Sequence, residues 1–216
     1  MIDHEKRKEL EAIISGESIT WRKDNLTSAR NFLSERFSTS TKIERKLSDK
    51  SDSKEEQKSS LIAFCNQHDF WFKGDLSDSN FLTEGGEAKV YFDKKKNTVV
   101  KANDAIYYST WLDYLNALLL HNLFFSDTAY SVAGFSLIND ELYVIAGQPF
   151  IIADAITNLD DVKTFLEHNG FKNTKRNDYY NSDLGLILED MHDENVLTSN
   201  NTLFFIDTVF YIDIRV

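Results

Sequence analysis

Residues 184–213, LGLILEDMHDENVLTSNNTLFFIDTVFYID, decide the fold. Leu203-Phe204-Phe205-Ile206 is a continuous apolar run of the kind that forms a buried strand. Val196-Leu197 is a shorter partner run. Between them, Ser199-Asn200-Asn201 supplies a turn, because Asn tolerates the backbone angles that tight turns require. A hairpin folded about Asn201 sets Asn195 opposite Asp207 at its open end, with Asp190 and His192 just before its first strand. Asp190, Asn195 and Asp207 are thereby gathered in one place. A carboxylate and an amide oxygen suit a hard cation such as magnesium, which takes oxygen ligands and keeps several waters. The remaining carboxylate is then free to position an attacking hydroxyl. The plainer alternative is a surface hairpin carrying scattered acids.

A second hairpin lies about a hundred residues upstream. Phe81-Leu82-Thr83-Glu84 leads into Gly85-Gly86, and Glu87-Ala88-Lys89-Val90-Tyr91-Phe92 follows as an alternating strand. Residues 93–97 form a charged turn, and Thr98-Val99-Val100-Lys101 returns. Folding about Lys95 puts Lys101 opposite Lys89, beside the glycines. Glycine lets backbone approach a phosphate closely, its free amides suit an anion, and a lysine at the strand end neutralises the same group.

Further elements follow from pattern. Residues 105–125 read as a helix with an apolar stripe through Trp111, Leu112, Leu115, Leu118, Leu119 and Leu123. Residues 133–138 and 142–146 pair about an Asn139-Asp140 turn and run on to Gln148-Pro149-Phe150-Ile151, which holds the only proline. Residues 158–169 are a helix capped by Asn158, with Asp160 and Asp161 in its first turn and Gly170 as its stop. Residues 171–180 are polar with two tyrosines. Near the N-terminus, residues 2–15 and 25–37 read as helices, the second capped by Asn25. Residues 38–60 read as a solvated linker or a polar helix face, with a helix starting at Ser53-Lys54-Glu55-Glu56 and running to about Gln67. His68 to Phe72 then enters a strand.

The chain has 216 residues, 42% hydrophobic and 13% aromatic, enough for a sizeable core. A net charge of −11 argues against a nucleic-acid backbone or a bare anionic membrane as partner. Cys65 stands alone, so no intramolecular disulfide and no cysteine-rich metal site is expected. MIDHEKRKELEAI lacks the apolar core of a signal peptide, and no apolar run is long enough to span a membrane. A cytoplasmic protein is the simplest expectation.

The order of these parts resembles a protein kinase-like fold: glycine turn, lysine strand, helix, hairpin, hinge, helix, catalytic loop, metal aspartate. More narrowly, residues 61–213 resemble the serine/threonine/tyrosine kinase-like domain of polyvalent proteins from bacterial mobile elements. Gly85 to Tyr91, His121-Asn122, Gly134-Phe135, Gln148 to Ile151, Gly170-Phe171, Asp190 to Leu197 and Phe205-Ile206-Asp207 carry the likeness. It implies an α+β, two-lobed fold. Residues 1–60 would be an N-terminal helical extension and linker, 61–147 an N-lobe with an antiparallel sheet, and 148–216 a reduced, mostly helical C-lobe.

It also implies ATP and Mg2+. Gly85, Gly86, Glu87, Ala88 and Lys89 would cover the phosphates and Lys101 would contact them. Backbone around Gln148 and Phe150 would meet the adenine edge. Asp190 would act on an acceptor hydroxyl of a protein or small molecule, and Asn195 with Asp207 would hold the metal.

Departures from the pattern are plain. Glu189 precedes Asp190, and His192 replaces the usual Lys, as in small-molecule kinases. Thr208-Val209 follows Asp207 in place of Phe-Gly. No Glu occurs between Lys101 and Glu141, so the acidic partner of Lys101 is open. The chain closes a few residues after Asp207, which leaves either a minimal kinase or a nucleotide-binding interaction module.

Overall fold

The computed structural model describes residues 4–37, 49–77, 80–86 and 88–213. Glu87, the start of the first helix and residues 38–48 of the expected linker lie outside these. Helices α1 (His4–Ser15) and α2 (Asn25–Phe37) form as the apolar spacing predicts. The cap of α2 is Asp24, not Asn25. Asp24 Oδ1 accepts from Thr27 N at 2.8 Å and Oδ2 accepts from Thr27 Oγ1 at 3.0 Å. The Asn25 amide instead donates to the Val132 carbonyl at 3.1 Å. α3 (Asp49–His68) is longer than predicted and crosses residue 60.

Strands β1 (Phe81–Glu84), β2 (Ala88–Asp93), β3 (Thr98–Asn103), β4 (Ser131–Ile138) and β5 (Glu141–Pro149) form one antiparallel sheet in the order β1-β2-β3-β5-β4. The β2–β3 register differs by one residue from the expected one: Lys101 pairs with Val90, and Lys89 with Ala102. The turn sets this. It spans the four residues 94–97, Asn97 takes φ 53°, and Asp93 Oδ1 accepts from the amides of Lys95 and Lys96 at 3.0 and 3.2 Å. A slip of one residue exchanges the faces of a strand. Val90 and Lys101 therefore share one face, and Lys89 takes the other.

α4 (Trp111–Phe124) begins six residues later than its pattern suggests. Thr110 caps it, accepting from Asp113 N at 3.1 Å, while Ala105 sits at φ 57° in the turn before it. Tyr114 to His121 is buried without a break, so α4 is a central helix with no wet face over two turns. α1, α2 and α3 pack around it. Arg30 of α2 is fully buried, and among the described residues no acid pairs with it. It donates to the carbonyls of Ala12 and Ile13 at the end of α1, at 3.0 and 3.1 Å, to the Glu17 carbonyl, and to Asn116 Oδ1 of α4 at 2.9 Å. Carbonyls left over at a helix C-terminus take cations well. Burial lowers the Arg30 pKa to about 10.

Beyond residue 149 the structure corrects the expectation of a mostly helical region. Its described part holds one helix, α5 (Leu159–His168), and six strands. α5 has the predicted Asn158 cap and the Gly170 stop at φ 85°. β6 (Lys172–Lys175), β7 (Asp178–Asn181), β8 (Leu186–Glu189) and β11 (Val209–Ile212) form a four-stranded sheet ordered β11-β8-β7-β6. β9 (Val196–Ser199) and β10 (Thr202–Phe205) form a hairpin. At the end of the polar stretch 171–180 and just past it, Tyr179 and Asn181 of β7 alternate inward, a period-two signal masked by the exposed Lys, Asn and Thr of β6.

Aromatic rings weld this region to α4. Phe125 stacks on Phe205 at 4.2 Å and Phe124 on Phe210 at 5.6 Å. Each buried phenylalanine adds roughly 1.5–3 kcal/mol. Among the described residues no helix is long and apolar enough to cross a membrane.

Candidate functional site

Two sheets end at one cavity of about 710 Å3. The β1–β2 turn roofs it, β3 and the end of β5 form its back, and the turns leaving β8 and entering β11 form its floor. Gly85, Gly86, Ala88, Lys101, Gln148, Phe150, Asp190, Asn195 and Asp207 all line it. Lys89 does not line it. Its ammonium lies 3.8 Å from Glu84, its cross-strand partner on β1, and the observed register puts Lys89 on the face opposite Lys101. Gln148 offers little of its side chain, which is buried, with Nε2 donating to the Thr128 carbonyl at 2.7 Å. The Phe150 amide is already engaged by the Asn97 carbonyl at 3.3 Å. The sequence missed Tyr107, a half-exposed residue of the β3–α4 connection that also lines the cavity. A Cβ on Gly86 would come within 2.8 Å of its hydroxyl.

Asp190 follows β8 directly and takes φ 66°, a left-handed angle that Asp adopts more readily than most residues. Its carboxylate is held inside its own turn. Asn195 Nδ2 donates to Asp190 O at 2.9 Å and to Oδ2 at 3.1 Å, and His192 Nε2 lies 3.4 Å from Oδ1. The buried Met191 side chain anchors the turn, and the amides of Asp190 and Met191 donate to Asp178 Oδ1 and Asn177 O. Burial, then the charges of Asp178 and Asp190, push the Glu189 carboxyl upward. The end of β8 thus carries a concentrated negative field.

Asp207 arrives by another route. The β9–β10 turn is Asn200-Asn201, at φ 48° and 58°, so Val196 pairs with Phe205 and Asn195 falls opposite Ile206, one residue short of the expected partner. The chain recovers the difference at once: the amides of both Ile206 and Asp207 donate to the Asn195 carbonyl, at 2.9 and 3.3 Å. β11 then pairs with β8, Val209 opposite Glu189, which brings Asp207 and Asp190 to the same sheet end.

The segment around Asp207 is fixed from α4 and the loop after it. Thr128 Oγ1 donates to the Phe205 carbonyl at 2.5 Å. His121 Nδ1 and Thr208 Oγ1 are 2.7 Å apart, and His121 Nε2 meets the Thr128 carbonyl at 2.9 Å. Burial lowers the His121 pKa to about 4, so the ring is neutral, donating from Nε2 and accepting at Nδ1. Lys101 Nζ donates to the Ile206 carbonyl at 2.9 Å and lies 3.2 Å from Asp207 Oδ2. The open question of its acidic partner is thereby answered: in this structure the acid is Asp207.

Tyr130, a residue without any sequence signal, stands 3.3 Å from Lys101 Nζ and 3.2 Å from Asp207 Oδ1. No group of three or more His, Cys, Asp or Glu forms a metal cage among the described residues. Asn195 and Asp207 line the same cavity as Lys101, and an amide oxygen and a carboxylate are donor types that magnesium takes together with substrate phosphates.

Residues 54–214, three quarters of the chain, match the family model described as a serine/threonine/tyrosine kinase found in polyvalent proteins. No curated protein and no solved structure matches the chain.

Proposed function

Since the chain belongs to the family of serine/threonine/tyrosine kinases found in polyvalent proteins, we propose that it transfers the γ-phosphate of ATP to a hydroxyl of a protein or small molecule. The observation that carries this is the closure of two remote ribbons on one cavity. Lys101 of β3 and Asp207 before β11 meet at 3.2 Å, with Asp190 and Asn195 lining the same space.

In this reading Lys101 gives its N–H groups to the nucleotide phosphates, and the amides of the Gly85-Gly86 turn lie over them. Backbone past Gln148, including the Phe150 carbonyl, meets the nucleobase edge. Asn195 and Asp207 supply oxygens to magnesium, which neutralises phosphate charge when bound. Asp190 orients the acceptor hydroxyl and takes its proton as the acceptor oxygen bonds to the γ-phosphorus and the bond from that phosphorus to the bridging oxygen breaks, so that ADP leaves. Positioning and charge neutralisation supply most of the acceleration in such transfers, so few protein groups suffice. The five-stranded sheet with α3 and α4 would form the upper lobe, and the strand-rich remainder a reduced lower one.

The experiment is transfer of label from γ-labelled ATP, with magnesium, onto the protein itself and onto candidate acceptors. Asp190→Asn and Lys101→Ala are each expected to lower it at least about 10^2-fold, Asp190→Asn with the thermal unfolding midpoint nearly unchanged, and Lys101→Ala with a folded but less stable protein because Lys101 also braces Ile206 and Asp207. Label transfer by either purified variant at the wild-type rate contradicts the assignment.

A second reading, a nucleotide-binding interaction module with little catalysis, is favoured by the absence of an acid from α4 beside Lys101. It predicts stabilisation by ATP and magnesium without label transfer.

A further inference from the structure

Lys101 has three N–H bonds to place, and none goes to α4. One goes to the Ile206 carbonyl, one lies toward Asp207 Oδ2, and one reaches Tyr130 Oη at 3.3 Å. The Tyr130 hydroxyl has a single proton, with the Ile206 carbonyl at 3.1 Å and Asp207 Oδ1 at 3.2 Å to receive it. Tyr130 is therefore a neutral side chain that bonds to both charged groups of the site at once.

Its own position is fixed from α4. The Asn122 amide brackets its backbone, Oδ1 accepting from Tyr130 N at 2.6 Å and Nδ2 donating to Tyr130 O at 2.8 Å. The His121 ring packs on its ring at 4.7 Å. Buried, and beside Asp207, the phenol is held well above its ordinary pKa.

We propose that Tyr130 is a positioning residue of the phosphate site: its hydroxyl keeps Lys101 and Asp207 at a fixed mutual distance. This rests on the kinase reading given above. The chemistry has a consequence for charge. An acid in this place would cancel the lysine, whereas a neutral phenol leaves its charge to be shared between Asp207 and the nucleotide phosphates. The α4 helix thus contributes through Asn122 and His121, by holding Tyr130, and not through a carboxylate of its own.

Tyr130→Phe keeps the ring and removes only the hydroxyl. The test is calorimetric titration of ATP with magnesium into the wild type, Tyr130→Phe, Lys101→Met and the double variant, with unfolding midpoints to show that each is folded. Losing a hydrogen bond to a charged group is expected to weaken binding by about tenfold in Tyr130→Phe. Because the hydroxyl acts through Lys101, it should weaken binding by under about twofold when Lys101→Met is already present, a failure of additivity that a merely structural role does not give.

Wild-type affinity in Tyr130→Phe overturns the inference and leaves the kinase reading standing. So does an equal loss in both backgrounds. A wild type that binds no nucleotide overturns the kinase reading and this inference with it.

Discussion

Asp207 and Asp190 face the same cavity and are held there by opposite means. Asp207 lies in a segment pinned from outside itself: Thr128 on Phe205, Lys101 and Tyr130 on Ile206, His121 on Thr208. Every one of those partners is distant in sequence and sits on or just after α4, or on β3. The Asp190 carboxylate is held within its own loop, through Asn195 and His192, while the amides of Asp190 and Met191 are tied to the neighbouring β6–β7 turn at Asp178 and Asn177, and its side chain is more exposed than that of Asp207. The difference suits two jobs. A group that meets metal and phosphate gains from a rigid, preorganised setting, since no reorganisation is then needed at the moment of reaction. A group that must meet an acceptor arriving from solvent needs an open approach.

If the comparison holds, substitutions at the two acids should separate binding from transfer. Asp207→Asn is expected to lower phosphoryl transfer at least about 10^3-fold and to remove the magnesium-dependent part of ATP binding. Asp190→Asn is expected to cost about 10^2-fold or more in transfer while leaving the ATP-induced thermal shift in place. Equal losses of binding in the two variants would erase the distinction.

The pinned segment should also show itself in acid. His121 binds a proton in the unfolded chain with an ordinary pKa of about 6.5, but in the folded chain only below about 4. Over that window the unfolded state holds more protons, so stability falls as pH drops from about 6.5 to about 4 and is level on either side. The His121 contribution is on the order of 3 kcal/mol, read from denaturant midpoints across the window. His121→Gln should flatten that part of the profile.

The smallest effect belongs to the exposed side. Asp190→Gly relieves a left-handed residue and breaks only bonds local to its turn, so the unfolding free energy should change by under about 1 kcal/mol even as transfer is lost. A large destabilisation would mean that this turn is as deeply braced as the other.

The same division explains what was legible in the sequence. Parts built from local signals were readable: α2 over its whole length, the Asn139-Asp140 and Asn200-Asn201 turns, the Asn158 cap, and Asp190, Asn195 and Asp207 as a cluster. Both hairpins were misread by one residue, because apolar runs mark strands but turn length sets register. In one this exchanged the face of Lys89. In the other the double bond to the Asn195 carbonyl absorbed the slip.

The braces of Asp207 were not readable at all. Tyr130 reaches Asp207 across 77 positions and His121 reaches Thr208 across 87, and neither spacing leaves a periodic trace. The strands β6 and β7 escaped because their polar outer residues outnumber the two that turn inward.

The claim under everything else is that β3 and the turn before β11 close on a single nucleotide. Calorimetric titration of ATP, with and without magnesium, into the wild type, Lys101→Ala and Asp207→Asn tests it most directly. Magnesium-dependent binding is expected in the wild type, with a loss of most of that affinity in both variants. Binding that is indifferent to both substitutions would contradict it.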